Sequence, residues 1–192
     1  MDDLWVEKYK PTNIKDVVCN KTIIKNIDKY INSLKKEQEE NHIVMIRGKS
    51  GSGKSLVSRL ILEKYNYRII ELNSINLKSE LNTILYNSIH YKNVLESFME
   101  DNKKTAIIIE ELESMNFLGI KSNINDLIDL IKKSHKKKSD KKDKIKIPII
   151  LTCNLCTEKK ITILEKLAKT FILKEPTKLN IKNILNNIIK SE

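Results

Sequence analysis

The residues with the clearest chemical capacity are Gly48-Lys49-Ser50-Gly51-Ser52-Gly53-Lys54-Ser55. Glycine lets backbone approach an anion closely and take dihedrals closed to other residues, so successive N–H groups can converge on a phosphate. After the last glycine, Lys54 offers a cation to β- and γ-phosphate oxygens and Ser55 offers a hydroxyl to Mg²⁺. The chain has only four glycines, and Gly48, Gly51 and Gly53 all lie in this run. The expected phosphate-binding set is Gly48, Lys49, Ser50, Gly51, Ser52, Gly53, Lys54, Ser55 and Leu56, and the expected ligand is ATP with Mg²⁺.

Hydrolysis needs a second element, an acidic residue at a strand end to organise Mg²⁺ and a base to orient the attacking water. Ile107-Ile108-Ile109-Glu110-Glu111 supplies both. Glu110 is assigned to the metal through water, and Glu111 to the attacking water. The competing reading makes them two carboxylates at the positive end of the following helix. Asn154, after Ile149-Ile150-Leu151-Thr152-Cys153, is placed to orient water or touch the γ-phosphate, with a turn-forming asparagine as the plainer alternative.

Such a site requires strands that deliver all these groups to one edge of a sheet. Ile43-Val44-Met45-Ile46 is a continuous apolar run leading into the glycine loop, as expected of a strand buried on both faces. Similar strands are predicted at Tyr67–Leu72, Thr105–Ile109, Ile147–Cys153 and Thr170–Leu173. Between them, Ile23, Ile24, Ile27, Tyr30, Ile31 and Leu34 fall on one helical face, as do Leu56, Val57, Leu60, Ile61 and Tyr65. Further helices are predicted over Leu77–Ile89 and Tyr91–Glu100, around Ile120, Ile124, Leu127, Ile128 and Ile131, and past Pro176. The alternation predicts an α/β domain with a five-stranded, mostly parallel sheet flanked by helices.

Composition narrows the class. The 192 residues, 40% hydrophobic and 32% charged, suit one globular domain, or one with a fragment of a second, and a large multi-domain enzyme is not expected. No stretch approaches the ~20 apolar residues of a membrane span, and no signal-peptide pattern opens the chain, so an intracellular location without membrane partners is expected. Cys19, Cys153 and Cys156 form no disulfide framework, and the single C-x-x-C lacks the second pair of a structural zinc site. The formal net charge of +11 is concentrated: residues 132–146 hold nine lysines and two aspartates. This segment reads as a solvated loop insertion, with contact to a nucleic-acid backbone as the competitor.

At these residues the chain resembles the AAA+ clamp loaders, in particular the large subunit of replication factor C. Trp5-Val6-Glu7-Lys8-Tyr9-Lys10-Pro11 is similar to the family's opening W-V-E-K-Y-x-P signature, and Ile70-Glu71-Leu72-Asn73-Ser74 to its E-L-N-A/S segment. Ile109-Glu110-Glu111-Leu112-Glu113-Ser114-Met115 resembles the D-E-x-D-x-M box, with Glu110 replacing aspartate. Ile147 to Asn154 resembles the sensor-1 strand. The resemblance implies that Val17 and Val18 lie against adenine, although Cys19 stands where glycine is usual, and that Asn154 senses the γ-phosphate. Lys166-Leu167-Ala168 occupies the place of the small subunits' S-R-C motif, as in large subunits.

The resemblance also implies a division into an ATPase core over 1–175, carrying the 132–146 insertion, and the first part of a helical lid over 176–192. It implies a hetero-oligomer with other clamp-loader subunits, a sliding clamp and primer-template DNA. The setting would be the nucleus, or a viral replication site in an infected cell. A slow ATPase is expected in isolation, because no arginine faces a neighbour and the lid's second sensor is missing. Alternatives are a non-hydrolysing subunit that uses ATP structurally, a loader of a checkpoint clamp or helicase, and, most distantly, a small-molecule kinase.

Overall fold

The computed structural model describes residues 4–73, 103–117, 121–136 and 144–192. The helices predicted over Leu77–Ile89 and Tyr91–Glu100 lie outside them. A short helix α1 (Trp5–Lys8) and a 3₁₀ turn (Ile14–Asp16) precede helix α2 (Lys21–Lys35) and strand β1 (Ile43–Arg47). Helix α3 (Lys54–Lys64), strand β2 (Arg68–Leu72), strand β3 (Thr105–Ile109), helix α4 (Leu112–Phe117) and helix α5 (Lys121–Ser134) follow. Strand β4 (Ile149–Cys153), helix α6 (Lys159–Leu167), strand β5 (Lys169–Ile172) and helix α7 (Lys178–Ser191) complete the order.

The five strands form one sheet in the order β2-β3-β4-β1-β5. Every pairing is parallel. Parallel neighbours need crossover connections, and the described helices lie on both faces of the sheet. Alternation along each strand divides the core. Val44 and Ile46 point with Ala106, Ile108 and Ile150 toward α2 and α3. Ile43 and Met45 point with Ile107, Ile109, Ile149 and Leu151 toward α5 and α6. In α2, Ile24, Ile27, Ile31 and Leu34 recur at helical spacing and are buried. On α5, Ile124, Leu127, Ile128 and Ile131 do the same on the opposite face.

β4 begins at Ile149, two residues later than predicted. Pro148 has no N–H for the ladder, but its carbonyl accepts from Ile107 N–H at 2.9 Å. Ile145 and Ile147 are nevertheless buried in the core, at the end of the lysine-rich segment 132–146. Ile145 N–H donates to Ser134 Oγ across 3.0 Å, joining the two stems of that segment.

Helix α7 is capped by Thr177, whose hydroxyl accepts from Asn180 N–H at 3.2 Å. Unlike α2, it buries nothing: Leu179, Ile181, Ile184, Leu185 and Ile189 are all exposed. The residue after α7, Glu192, reaches the end of α1, where Lys8 Nζ and the following Tyr9 OH both donate to Glu192 Oε1 at 2.6 Å.

Candidate functional site

Parallel strands bring every strand C-terminus to one edge of the sheet, where ligands bind in open α/β folds. Gly48 follows β1, Glu110 follows β3 and Asn154 follows β4 there. Two backbone bonds fasten the loop to its neighbours: Gly48 N–H donates to Cys153 O at 3.2 Å, and Leu173 N–H donates to Arg47 O at 2.7 Å.

The loop geometry explains its glycines. A Cβ on Gly48 would stand 2.5 Å from Ser52 Oγ and 2.8 Å from the Leu173 carbonyl, so no side chain fits. Gly51 and Gly53 have φ of 76° and 89°, in the left-handed region that other residues avoid. Gly53 is the residue from which α3 departs, so the helix N-terminus faces the loop and favours an anion. Ser52 Oγ is buried with no hydrogen-bond partner. A polar atom in that position fits a loop built to close around a polar group.

Lys54 crosses the loop. Its Nζ donates to Gly48 O at 2.9 Å, Lys49 O at 3.0 Å and Asn154 Oδ1 at 2.8 Å. The first residue of α3 is thereby joined to the end of β4. Lys49 extends outward to Glu175 Oε2 at 3.0 Å. Ser55 is exposed and Leu56 half-buried on α3.

The two carboxylates are held differently. Glu110 N–H donates to Leu72 O at 2.8 Å, continuing the β2–β3 ladder, and Glu110 is half-buried. Glu111 leaves the strand with φ of 51°, an uncommon value for a side-chain-bearing residue. Its N–H donates to the buried Thr152 Oγ1 at 3.2 Å. Its Oε2 accepts from Ser114 Oγ at 3.2 Å, one turn into α4. Glu111 projects from the edge rather than along the sheet because of this backbone turn.

Several contacts here were not among the predicted site residues. Glu113 Oε2 accepts from Asn154 N–H at 3.1 Å, so α4 holds the asparagine's backbone while Lys54 holds its side chain. Arg47, only 9% exposed, pairs with Glu165 Oε2 at 2.6 Å and donates through Nη2 to Cys156 O at 2.7 Å. Arg59 on α3 grips Glu71 with two bonds of 2.7 Å. The acid of Glu113 stands in the quoted Glu110–Met115 box, which was the available signal; nothing local in the sequence marks the partner of Arg47.

Val17 and Val18 are half-buried just after the 3₁₀ turn. Asn20, at φ of 58°, ties this segment down: its Nδ2 donates to Lys174 O at 2.8 Å and its Oδ1 accepts from Lys174 N–H at 2.9 Å. The 17–20 segment therefore borders the stretch from Leu173 to Glu175 that also contacts the loop. Among the described residues, no group of three or more His, Cys, Asp or Glu side chains is arranged to hold a metal. A hydroxyl and a carboxylate at Ser55 and Glu110, completed by phosphate and water oxygens, are the hard donors that suit Mg²⁺. No helix among the described residues is long and apolar enough to cross a membrane.

Comparison with known proteins places the sequence among relatives. The chain is 26% identical over 190 residues to the replication factor C large subunit of Thermofilum pendens, covering 98% of this chain and 42% of that protein. It is 29% identical over 154 residues to the large subunit of Thermoplasma acidophilum, covering 78% of this chain and 34% of that protein. It is 24% identical over 172 residues to replication factor C subunit 1 of Schizosaccharomyces pombe, covering 79% of this chain and 17% of that protein. The chain thus spans less than half the length of these relatives. The profile of the Rad17 P-loop domain matches residues 1–192 from end to end. With its loop, its parallel sheet and this match over all its residues, the chain belongs to the Rad17 P-loop domain family.

Proposed function

We propose that this chain is the ATP-binding and hydrolysing core of an AAA+ clamp-loader subunit similar to the replication factor C large subunit, acting in DNA replication. One arrangement carries the reading: the loop lysine Lys54 meets Asn154 directly, beside Glu110 and Glu111 on the next strand. The loop N–H groups and the start of α3 bind the phosphates, and Lys54 exchanges its carbonyl acceptors for β- and γ-oxygens. Ser55 and Glu110 would hold Mg²⁺, which neutralises phosphate charge when bound. Glu111 orients and deprotonates water, and Asn154 contacts the γ-phosphate. The Val17–Val18 segment accepts the base.

In this reading residues 1–175 are the ATPase core, and α7 opens a lid whose apolar face belongs against further protein. The proposed partners are other clamp-loader subunits, a sliding clamp and primer-template DNA. A small-molecule kinase is disfavoured, because Arg47 and Arg59 are already committed to Glu165 and Glu71. A non-hydrolysing subunit is the second reading, favoured by the Ser114 bond that occupies a Glu111 oxygen.

Titration with MgATP, followed by single-turnover hydrolysis with and without small clamp-loader subunits, tests the proposal. Tight binding with slow turnover that rises on addition of arginine-bearing partners is expected. An arginine supplied in trans can contribute ~10³–10⁵ in rate. Failure to bind MgATP overturns the proposal, and binding without turnover in the assembled complex selects the second reading.

A further inference from the structure

Cys153 and Cys156 lie outside the chemistry above, yet their sulfurs are 3.6 Å apart. Cys153 is buried at the end of β4, and Cys156 is half-buried on the loop that follows. A disulfide needs about 2.05 Å between sulfurs, so closure requires a shift of roughly 1.5 Å. Cys156 lies on the loop that leaves the sheet, outside the β4 ladder.

The four residues from Cys153 to Cys156 touch the nucleotide loop at two points and the residue before it at a third. Cys153 O accepts from Gly48 N–H at 3.2 Å. Asn154 Oδ1 accepts from Lys54 Nζ at 2.8 Å. Cys156 O accepts from Arg47 Nη2 at 2.7 Å, and Arg47 is the residue before Gly48. Asn154 and Leu155 join the two cysteines, so a backbone shift that draws Cys156 toward Cys153 acts on Asn154.

We propose that Cys153 and Cys156 are a reversible dithiol modification site whose oxidation by a low-molecular-weight disulfide displaces Asn154 and weakens recognition of the γ-phosphate. The inference rests on the nucleotide-binding reading above. The partly exposed Cys156 thiolate attacks the small disulfide, breaking its S–S bond, forming a mixed disulfide and releasing one thiol. Cys153 then gives its proton to the adjacent Glu113 carboxylate and attacks the Cys156 sulfur. The mixed disulfide breaks and the second small thiol leaves, reclaiming a proton through Glu113 and water. Two protein thiols are oxidised and one small disulfide is reduced to two thiols.

The order of attack follows from the surroundings. Burial, and after it the Glu113 charge and hydrogen bond, push the Cys153 thiol well above its ordinary pKa. Cys153 therefore suits the second, intramolecular step, where proximity compensates for low thiolate content. Disulfides in reducing compartments are typically transient and regulatory, consistent with a pair this close to a binding loop.

The test uses the full chain with Cys19→Ser as the background. Protein equilibrated in reduced or oxidised glutathione is mapped by mass spectrometry and titrated with MgATP and MgADP. Oxidised protein should carry a Cys153–Cys156 link and show a preference for ATP over ADP at least threefold smaller. ADP affinity should stay unchanged, and dithiothreitol should restore the preference. Cys156→Ser should keep the reduced-state preference in both buffers. No link under oxidation, or a fully linked protein with unchanged preference, overturns the inference. An equal loss in Cys156→Ser would also overturn it, by tracing the effect to another group. Reduced protein that binds neither nucleotide would instead defeat the nucleotide-binding reading.

Discussion

Lys54 Nζ and Asn154 Oδ1 are hydrogen-bonded at 2.8 Å although 100 positions separate them in the chain. The end of the glycine loop and the residue after β4 are thus in direct contact, with no intervening residue. In the proposed reading a phosphate would replace this bond, so the start of α3 and the residue after β4 would register its arrival together.

Lys54→Ala should weaken MgATP binding by about 10- to 100-fold, the range expected for losing hydrogen bonds to a charged partner. Isothermal titration reads the affinity, and an unchanged far-ultraviolet circular dichroism spectrum shows that the fold is kept. Asn154→Ala should cost less in affinity, because it removes a contact to only the terminal phosphate.

Glu111→Gln should bind MgATP normally and lower the single-turnover rate by ~10²–10⁴, the usual contribution of a positioned general base. Glu110→Gln should instead raise the Mg²⁺ concentration needed for half-maximal turnover. Rapid-quench measurement of both variants over a magnesium series separates the roles, and an inverted pattern would exchange them.

Thr152→Val keeps the shape of a buried side chain but removes the oxygen that accepts Glu111 N–H. Thermal and denaturant unfolding should show a loss of about 1 kcal/mol. Turnover should also fall, because Glu111 loses the anchor for its left-handed backbone. Thr152→Ser should recover most of both.

Burial, helped by the Glu39 charge, pushes the Tyr30 phenol up to about 12. The unfolded phenol titrates near 10, so the folded protein holds this proton more tightly. The associated stability is complete below pH 10 and is lost as pH rises toward 12. The neutral phenol also donates to Asn41 O at 2.7 Å, a bond that ionisation removes. Tyr30→Phe should be less stable at pH 8 and show a shallower decline between pH 10 and 12 in equilibrium unfolding. Tyr65, likewise pushed to about 12 by burial first, keeps part of the decline in place.

Much of this fold is legible in the chain because apolar alternation and helical spacing are local. Val44 and Ile46 face one layer and Ile43 and Met45 the other, and α2 starts one residue after Asn20. The glycine loop is equally plain, since Gly48, Gly51 and Gly53 meet constraints set within the loop or against one neighbouring strand. What stays hidden is pairing at a distance. Arg47 with Glu165, Asn154 with Glu113 and Lys8 with Glu192 depend on which distant elements the fold brings together. The left-handed turn at Glu111 is hidden too, because glutamate carries no local signal for positive φ.

The strand order β2-β3-β4-β1-β5 also dictates when the molecule becomes competent during its own synthesis. β1 leaves the ribosome before the other strands, yet it is flanked by the last two, and such non-local pairing is slow to form. Gly48 has no Cys153 carbonyl to bind until β4 has emerged, and the Arg47 carbonyl has no Leu173 amide until the residue after β5 follows. A nascent chain therefore carries its complete glycine loop long before that loop has a rigid seat, and nucleotide capture should coincide with the closing step of folding.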